Sequence, residues 1–307
     1  MTSVFKRIAI VGSGAIGTYY GARLALAGAD VRFLMRGDLA AVRARGSLSI
    51  HERERTLELK PVRVFGSPEE IGVVDLAIVT LKTTANVEFA RLLPPLLGQE
   101  SALFTLQNGL GSDERLAELF GAERVMGGLA FIASTRTAPG EVTCYHPGSI
   151  TFGEFGRAAG ERARAWGEQL TRAGVRVRVV DDLMSARWHK LVWNIPFNGL
   201  AVAENRTTDR ICADASLAET VRALMREVQH AAGVLGFPIA DEFLAQQFDA
   251  TPPMGAYQPS SLVDYRAGRE VELEAIWGEP LRRARAAGIK TPRLEALYDR
   301  LLKAVQR

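Results

Sequence analysis

Cysteine is nearly absent from this chain. Of 307 residues, only Cys144 and Cys212 carry a thiol. Neither stands in a metal-ligand spacing, and one distant pair is poor evidence for a disulfide framework. Both are expected to be reduced, which points to the cytoplasm. Histidine is scarce too; its four copies are dispersed and form no ligand cluster, so no metal centre is expected. No apolar run reaches membrane-spanning length, and the first residues lead into a strand without the apolar core of a signal peptide. There is no internal repeat and no low-complexity tract. An excess of one charge is also missing, since 38 Lys and Arg face 35 Asp and Glu. The signs are interspersed, as in Arg53-Glu54-Arg55, whereas a nucleic-acid footprint would need basic residues gathered on one face. The run Arg282-Arg283-Ala284-Arg285 is taken as a solvated helix face. With 47% hydrophobic and 24% charged residues, the chain suits a soluble protein of one large or two medium domains.

Glycine is plentiful, at 29 copies, so an isolated glycine motif says little. One motif has context. The apolar run Ile8-Ala9-Ile10-Val11 enters Gly12-Ser13-Gly14-Ala15-Ile16-Gly17, then a helical stretch and a second strand over 31–34. In G-x-G-x-x-G the glycines permit a tight turn, close backbone approach to a pyrophosphate, and close helix–strand packing. The N–H groups at the helix start then face the anion. Residues Gly12, Ser13, Gly14, Ala15, Ile16 and Gly17 therefore form a candidate dinucleotide site, with an accidental glycine turn as the alternative. NAD sites usually place an acid on the ribose at the end of the second strand. Here Arg36 stands there, and the first acid is Asp38. A guanidinium can pair with a 2′-phosphate that a carboxylate would repel. NADP(H) is the expected cofactor; otherwise Arg36 is a solvated strand-end residue.

Strands and helices alternate through the first half. Strands are expected over 73–79 and 102–106, and a small hairpin over 47–50 and 56–59. This alternation implies a parallel sheet covered on both faces. Short antiparallel strands over 142–145 and 149–152, a helix over 161–173 and a last strand over 175–180 follow. From 182 the pattern is helical: 184–200, where Pro196 should kink or end a segment, then 217–235 and 270–287. Pro252-Pro253 fall in a loop, Gly288 fits a helix stop, and Pro292 opens a final helix. The expected fold is α/β: a Rossmann-type dinucleotide-binding domain over 1–181 and an all-helical domain over 182–307. In open α/β sheets ligands bind beyond the carboxyl ends of the strands, where Arg36, Lys82 and Asn108 all fall. Trp277 and the region 237–248 form either core or a dimer face.

In the helical half, Lys190, Asn194 and Asn198 recur every four residues, which puts them on one helix face. Two amides and an ammonium among Trp, Leu, Val and Phe are unusual for a core face, although they could simply cap neighbouring carbonyls. With these residues in view, the chain resembles the 2-dehydropantoate 2-reductase (ketopantoate reductase) family over nearly its whole length. The resemblance rests on Gly12 to Gly17, Arg36, Thr80-Leu81-Lys82, Gln107-Asn108-Gly109-Leu110-Gly111 and the Lys190/Asn194/Asn198 face. It continues through Pro259-Ser260-Ser261-Leu262-Val263-Asp264 and Gly268-Arg269-Glu270-Val271-Glu272.

That resemblance implies a catalytic pair. Lys190 is the general acid, and Glu272, beside the active site, helps to place lysine, cofactor or substrate. It implies that Asn194, Asn198 and Ser260 bind substrate oxygens, with Ser261 taking the serine's place if the alignment slips by one. Gly12 to Gly17, Arg36, Lys82, Asn108 and Ala133 are implied to line the NADPH site. The implied activity is NADPH-dependent reduction of 2-dehydropantoate to pantoate, in pantothenate and coenzyme A biosynthesis. A small 2-keto acid is thus the partner expected, rather than nucleic acid or membrane, and a homodimer is left open. The chain departs from the family pattern at Gly199, where proline is common. It departs again at Ala275-Ile276-Trp277-Gly278, where Tyr-Ile-Asn-Gly is usual. Rival readings are a reductase of another 2-keto acid, a 3-hydroxy acid dehydrogenase, a non-catalytic NADP(H) sensor and a flavoprotein. Arg36 disfavours the last, because an FAD site also wants an acid on the ribose.

Overall fold

The computed structural model describes residues 4–306. The chain divides into two compact units, one running to Gln107 and resuming over Ser112–Leu183, the other comprising Asn108–Gly111 and the chain from Met184 onward. The division therefore differs from a single cut near 182: four residues of the first half belong to the second unit.

The first unit is built on one sheet. Its strands are β1 (Arg7–Val11), β2 (Asp30–Leu34), β3 (Leu48–His51), β4 (Thr56–Leu59), β5 (Arg63–Phe65), β6 (Val74–Val79), β7 (Leu97–Thr105), β8 (Val125–Ala138), β9 (Glu141–Glu154) and β10 (Val177–Val179). Their order is β4-β3-β9-β8-β7-β6-β1-β2-β5, with β10 beside β9. From β5 to β8 all neighbours are parallel. Side chains of a strand point alternately to the two faces. In β1, Ile8 and Ile10 join one core while Ala9 and Val11 join the other; in β6, Leu76 and Ile78 oppose Ala77 and Val79 in the same way. Burial on both faces is why these strands read as unbroken apolar runs.

The short strands expected over 142–145 and 149–152 are one strand. β9 pairs antiparallel with β8 over fourteen residues, with register shifts around Ile132 and Ala133. Pro147-Gly148 suggests a break in the sequence, but both residues lie where the ladder is already irregular. A bulge needs no N–H from the proline, and Gly148 adopts φ +59°.

The second unit is helical. Its long helices are Leu183–Glu204, Ala215–Val234 and Pro292–Val305. Pro196 neither ends the first of these nor splits it. Val192, Ile195, Phe197 and Leu200 around it are buried in one core, and packing of this kind outweighs local propensity. The helix expected over 270–287 begins later, as a π-helical turn Glu274–Gly278 that continues into Glu279–Ala286. Gly288 closes it at φ +72°. Helices Thr208–Ala213, Asp241–Asp249 and Ser260–Arg266 escaped the sequence reading because they are too short to show a period. Trp277 is fully buried and donates its indole N–H to the Ile195 carbonyl at 2.9 Å, so it is core. Among the described residues, no helix is long and apolar enough to cross a membrane, and no group of three or more His, Cys, Asp or Glu could hold a metal ion.

Candidate functional site

In the first unit, each glycine of the motif has its own physical reason. Gly12 adopts φ +105°, and a Cβ there would lie 2.5 Å from the Leu81 amide nitrogen. A Cβ at Gly17 would overlap the Gly12 carbonyl, so helix Ala15–Leu26 can lie against the loop only because Gly17 lacks one. A Cβ at Gly14 would meet nothing within 4 Å. The space over the helix start is open, no side chain caps Gly14, and the first turn carries no acid. Unclaimed N–H groups beside open space fit a dinucleotide pyrophosphate. Hydroxyls fix the loop: Ser13 donates to the Leu34 carbonyl at 2.9 Å and Thr80 to the Gly12 carbonyl. Ala15 and Ile16 are partly buried at the helix start.

Arg36 is exposed just beyond β2, and among the described residues its guanidinium makes no hydrogen bond or ion pair. The acid nearest in sequence is already committed. Asp38 accepts from Arg136 Nη1 at 2.7 Å and from the Gly140 N–H at 3.2 Å. Lys82 is exposed where β6 passes into the short helix Thr83–Glu88. Ala133 lies in the β8 irregularity opposite His146. Gln107 was noted only as part of a motif, yet it ties two strand ends together. Its amide donates to the Leu81 carbonyl at 2.9 Å and to Asn86 Oδ1 at 2.8 Å.

In the second unit, the ammonium of Lys190 donates to Asn108 Oδ1 at 3.0 Å. Asn108 thus meets the lysine. Two features hold its segment. The Leu110 N–H donates to the Ala275 carbonyl at 2.9 Å. Gly109, at φ +76°, passes so close to that carbonyl that any Cβ would overlap it. Ala275 belongs to the π-helical turn, and such turns recur at functional sites. Burial pushes the pKa of Lys190 down, the Arg187 guanidinium pushes it further, and the Glu272 carboxylate opposes both; the result is about 7. Glu272 is itself buried. An ammonium in this range can release a proton near neutral pH.

The two asparagines differ. Asn198 is buried, and its Oδ1 accepts from the Ser261 N–H at 3.1 Å, capping helix Ser260–Arg266. Asn194 is only 6% exposed, yet among the described residues its amide makes no hydrogen bond. Buried amides are normally paired, so this one has capacity left for a ligand. Ser260 is exposed while Ser261 is buried. The departures at 199 and 277 lie close together: a Cβ on Gly199 would lie 2.6 Å from Leu297 Cδ2 and 2.9 Å from Trp277 Nε1. Leu297 and Trp277 together leave no room for a side chain at Gly199.

The family described as "Ketopantoate reductase PanE/ApbA" matches residues 8–157, and its "C terminal" counterpart matches residues 182–306. A 2-dehydropantoate 2-reductase from Nostoc sp. is 36% identical over 301 residues, covering 96% of this chain and 94% of its own. The crystal structure of a 2-dehydropantoate 2-reductase from Geobacter metallireducens superimposes with a TM-score of 0.95 at 43% identity, covering 97% of this chain and 99% of that one. A third, from Methylococcus capsulatus, gives 0.89 at 30% identity, with coverage of 98% and 96%.

Proposed function

This chain belongs to the PanE/ApbA ketopantoate reductase family, and from that premise we propose that it reduces 2-dehydropantoate to pantoate with NADPH. Membership makes it an oxidoreductase with a Rossmann-type dinucleotide-binding unit; the substrate and the preference for NADPH are our inference. The carrying observation is the helix face of Leu183–Glu204. There an ammonium with a pKa of about 7 is held by Asn108 and steadied by the Glu272 carboxylate, one turn from the buried Asn194 amide, which makes no hydrogen bond among the described residues. A 2-keto acid offers matching chemistry: a carbonyl oxygen that must gain a proton and a carboxylate that needs donors.

Gly12 to Gly17 would hold the pyrophosphate, Arg36 the 2′-phosphate, and Lys82 and Ala133 the rest of the cofactor. Bound nicotinamide supplies the hydride. Lys190 stabilises the developing alkoxide and delivers its proton. Glu272 keeps a useful fraction of the lysine charged. Asn194 donates to substrate oxygens. Asn198 contributes only through its Nδ2, since its Oδ1 is spent on the helix cap. Ser260 offers an exposed hydroxyl at the start of the capped helix.

The test of substrate is NADPH oxidation with 2-dehydropantoate against smaller and aromatic 2-keto acids. Side-chain discrimination of about tenfold or more in kcat/KM is expected; a better rate on another acid overturns the assignment. The test of cofactor is Arg36→Ala. A charge-assisted contact contributes about 1.5–3 kcal/mol, so NADPH affinity should fall by that amount while NADH affinity stays unchanged. Equal dissociation constants for the two dinucleotides in the parent protein would remove the basis for NADPH.

A further inference from the structure

Arg187 has no role in the assignments above, although it is among the largest fully buried side chains, at 2% exposure. It lies one turn before Lys190 on the same helix, so the two side chains share a face. Burying a guanidinium is costly unless its N–H groups are paired. Its Nη1 donates to the Gly109 carbonyl at 3.3 Å. The next residue back, Asn108, receives the Lys190 ammonium. The same short segment is gripped from its other side by the Ala275 carbonyl of the π-helical turn.

We propose that Arg187 is the positioning residue of Lys190: it pins the Gly109 carbonyl next to Asn108, whose side-chain Oδ1 receives the ammonium, and sets a second buried cation one turn away. This rests on Lys190 being the acid. The groups acting on the ammonium are Arg187 from its own helix, neutral Asn108 from the pinned segment, and Glu272 from the stretch before the π-helical turn. A neighbouring like charge disfavours a protonated amine, so Arg187 makes Lys190 a stronger acid while Glu272 keeps it from discharging altogether. The unusual π-helical turn then has a function: it supplies the carbonyl on which the pinned segment closes.

Two variants separate the contributions. Arg187→Gln keeps an N–H donor and removes the charge; Arg187→Lys keeps the charge but loses the planar fork. The chain has only six lysines, so the titration of Lys190 can be followed directly by NMR with 13Cε-labelled lysine, its signal identified by its loss in Lys190→Ala. In Arg187→Gln the Lys190 midpoint should rise by about one pH unit, and the alkaline limb of kcat should rise with it. In Arg187→Lys the midpoint should hold while kcat falls about tenfold or more through misplacement. An unmoved midpoint in Arg187→Gln overturns the inference. Should that variant not fold, Arg187→Lys decides alone, and parental kcat there overturns it equally. Full activity in Lys190→Ala would instead overturn the assignment of the acid, while the NMR midpoint would still report the coupling between the two residues.

Discussion

Lys190→Ala should lower kcat by about 10²–10⁴-fold at saturating NADPH, the usual contribution of a general acid, with cofactor affinity nearly unchanged. Loss of the cation beside the developing alkoxide adds to the deficit. Arginine should rescue poorly, because it keeps the charge but does not release a proton near neutrality. The pH dependence follows from the lowered pKa of about 7. Activity needs the protonated amine, so kcat should be full on the acid side and fall as pH rises through about 7. Glu272 opposes the lowering; Glu272→Gln should therefore shift this limb to lower pH. A surface lysine in a salt bridge predicts something else: its removal would cost about 0–1 kcal/mol of stability and little activity. A folded Lys190→Ala protein within a few-fold of parental kcat would eliminate this residue as the acid.

The second large effect separates two asparagines that look equivalent in sequence. Asn194 has no hydrogen bond to lose among the described residues. Asn194→Ala should leave thermal stability nearly unchanged and cost about 1.5–3 kcal/mol in kcat/KM, the range for a bond to a charged group. Asn198 caps helix Ser260–Arg266 through the Ser261 N–H. Asn198→Ala should lower stability by about 0.5–2 kcal/mol, as lost caps do, in addition to any loss of activity. Thermal denaturation of both variants beside steady-state kinetics reads the contrast. If Asn194→Ala loses as much stability as Asn198→Ala, its amide is structural and the substrate role falls to other groups.

The dinucleotide motif was legible because the spacing of Gly12, Gly14 and Gly17 is local. The close approach that Gly12 allows is to Leu81 and Thr80 on a distant strand end, which only the fold supplies. The Lys190/Asn194/Asn198 face was legible because helix periodicity alone puts the three side chains together. Three features were not. The commitment of Asp38 to Arg136 and Gly140 joins residues about a hundred positions apart. The need for glycine at 199 is a steric exclusion by Leu297 and Trp277 on other segments. The role of Asn198 as a cap needs the position of a helix too short to carry a period.

By itself, then, the sequence determined the class of fold, the nucleotide loop, the basic residue beyond β2 and the polar helix face, since each follows from spacing along one segment. Only the tertiary structure decided that residues 108–111 belong with the helices, because their bonds run to Lys190, Arg187 and Ala275. Only it decided the acidity of Lys190, because burial and the charges of Arg187 and Glu272 act through space. A pKa depends on what surrounds a group in three dimensions, and the residues that surround this one are scattered from Asn108 to Glu272 along the chain.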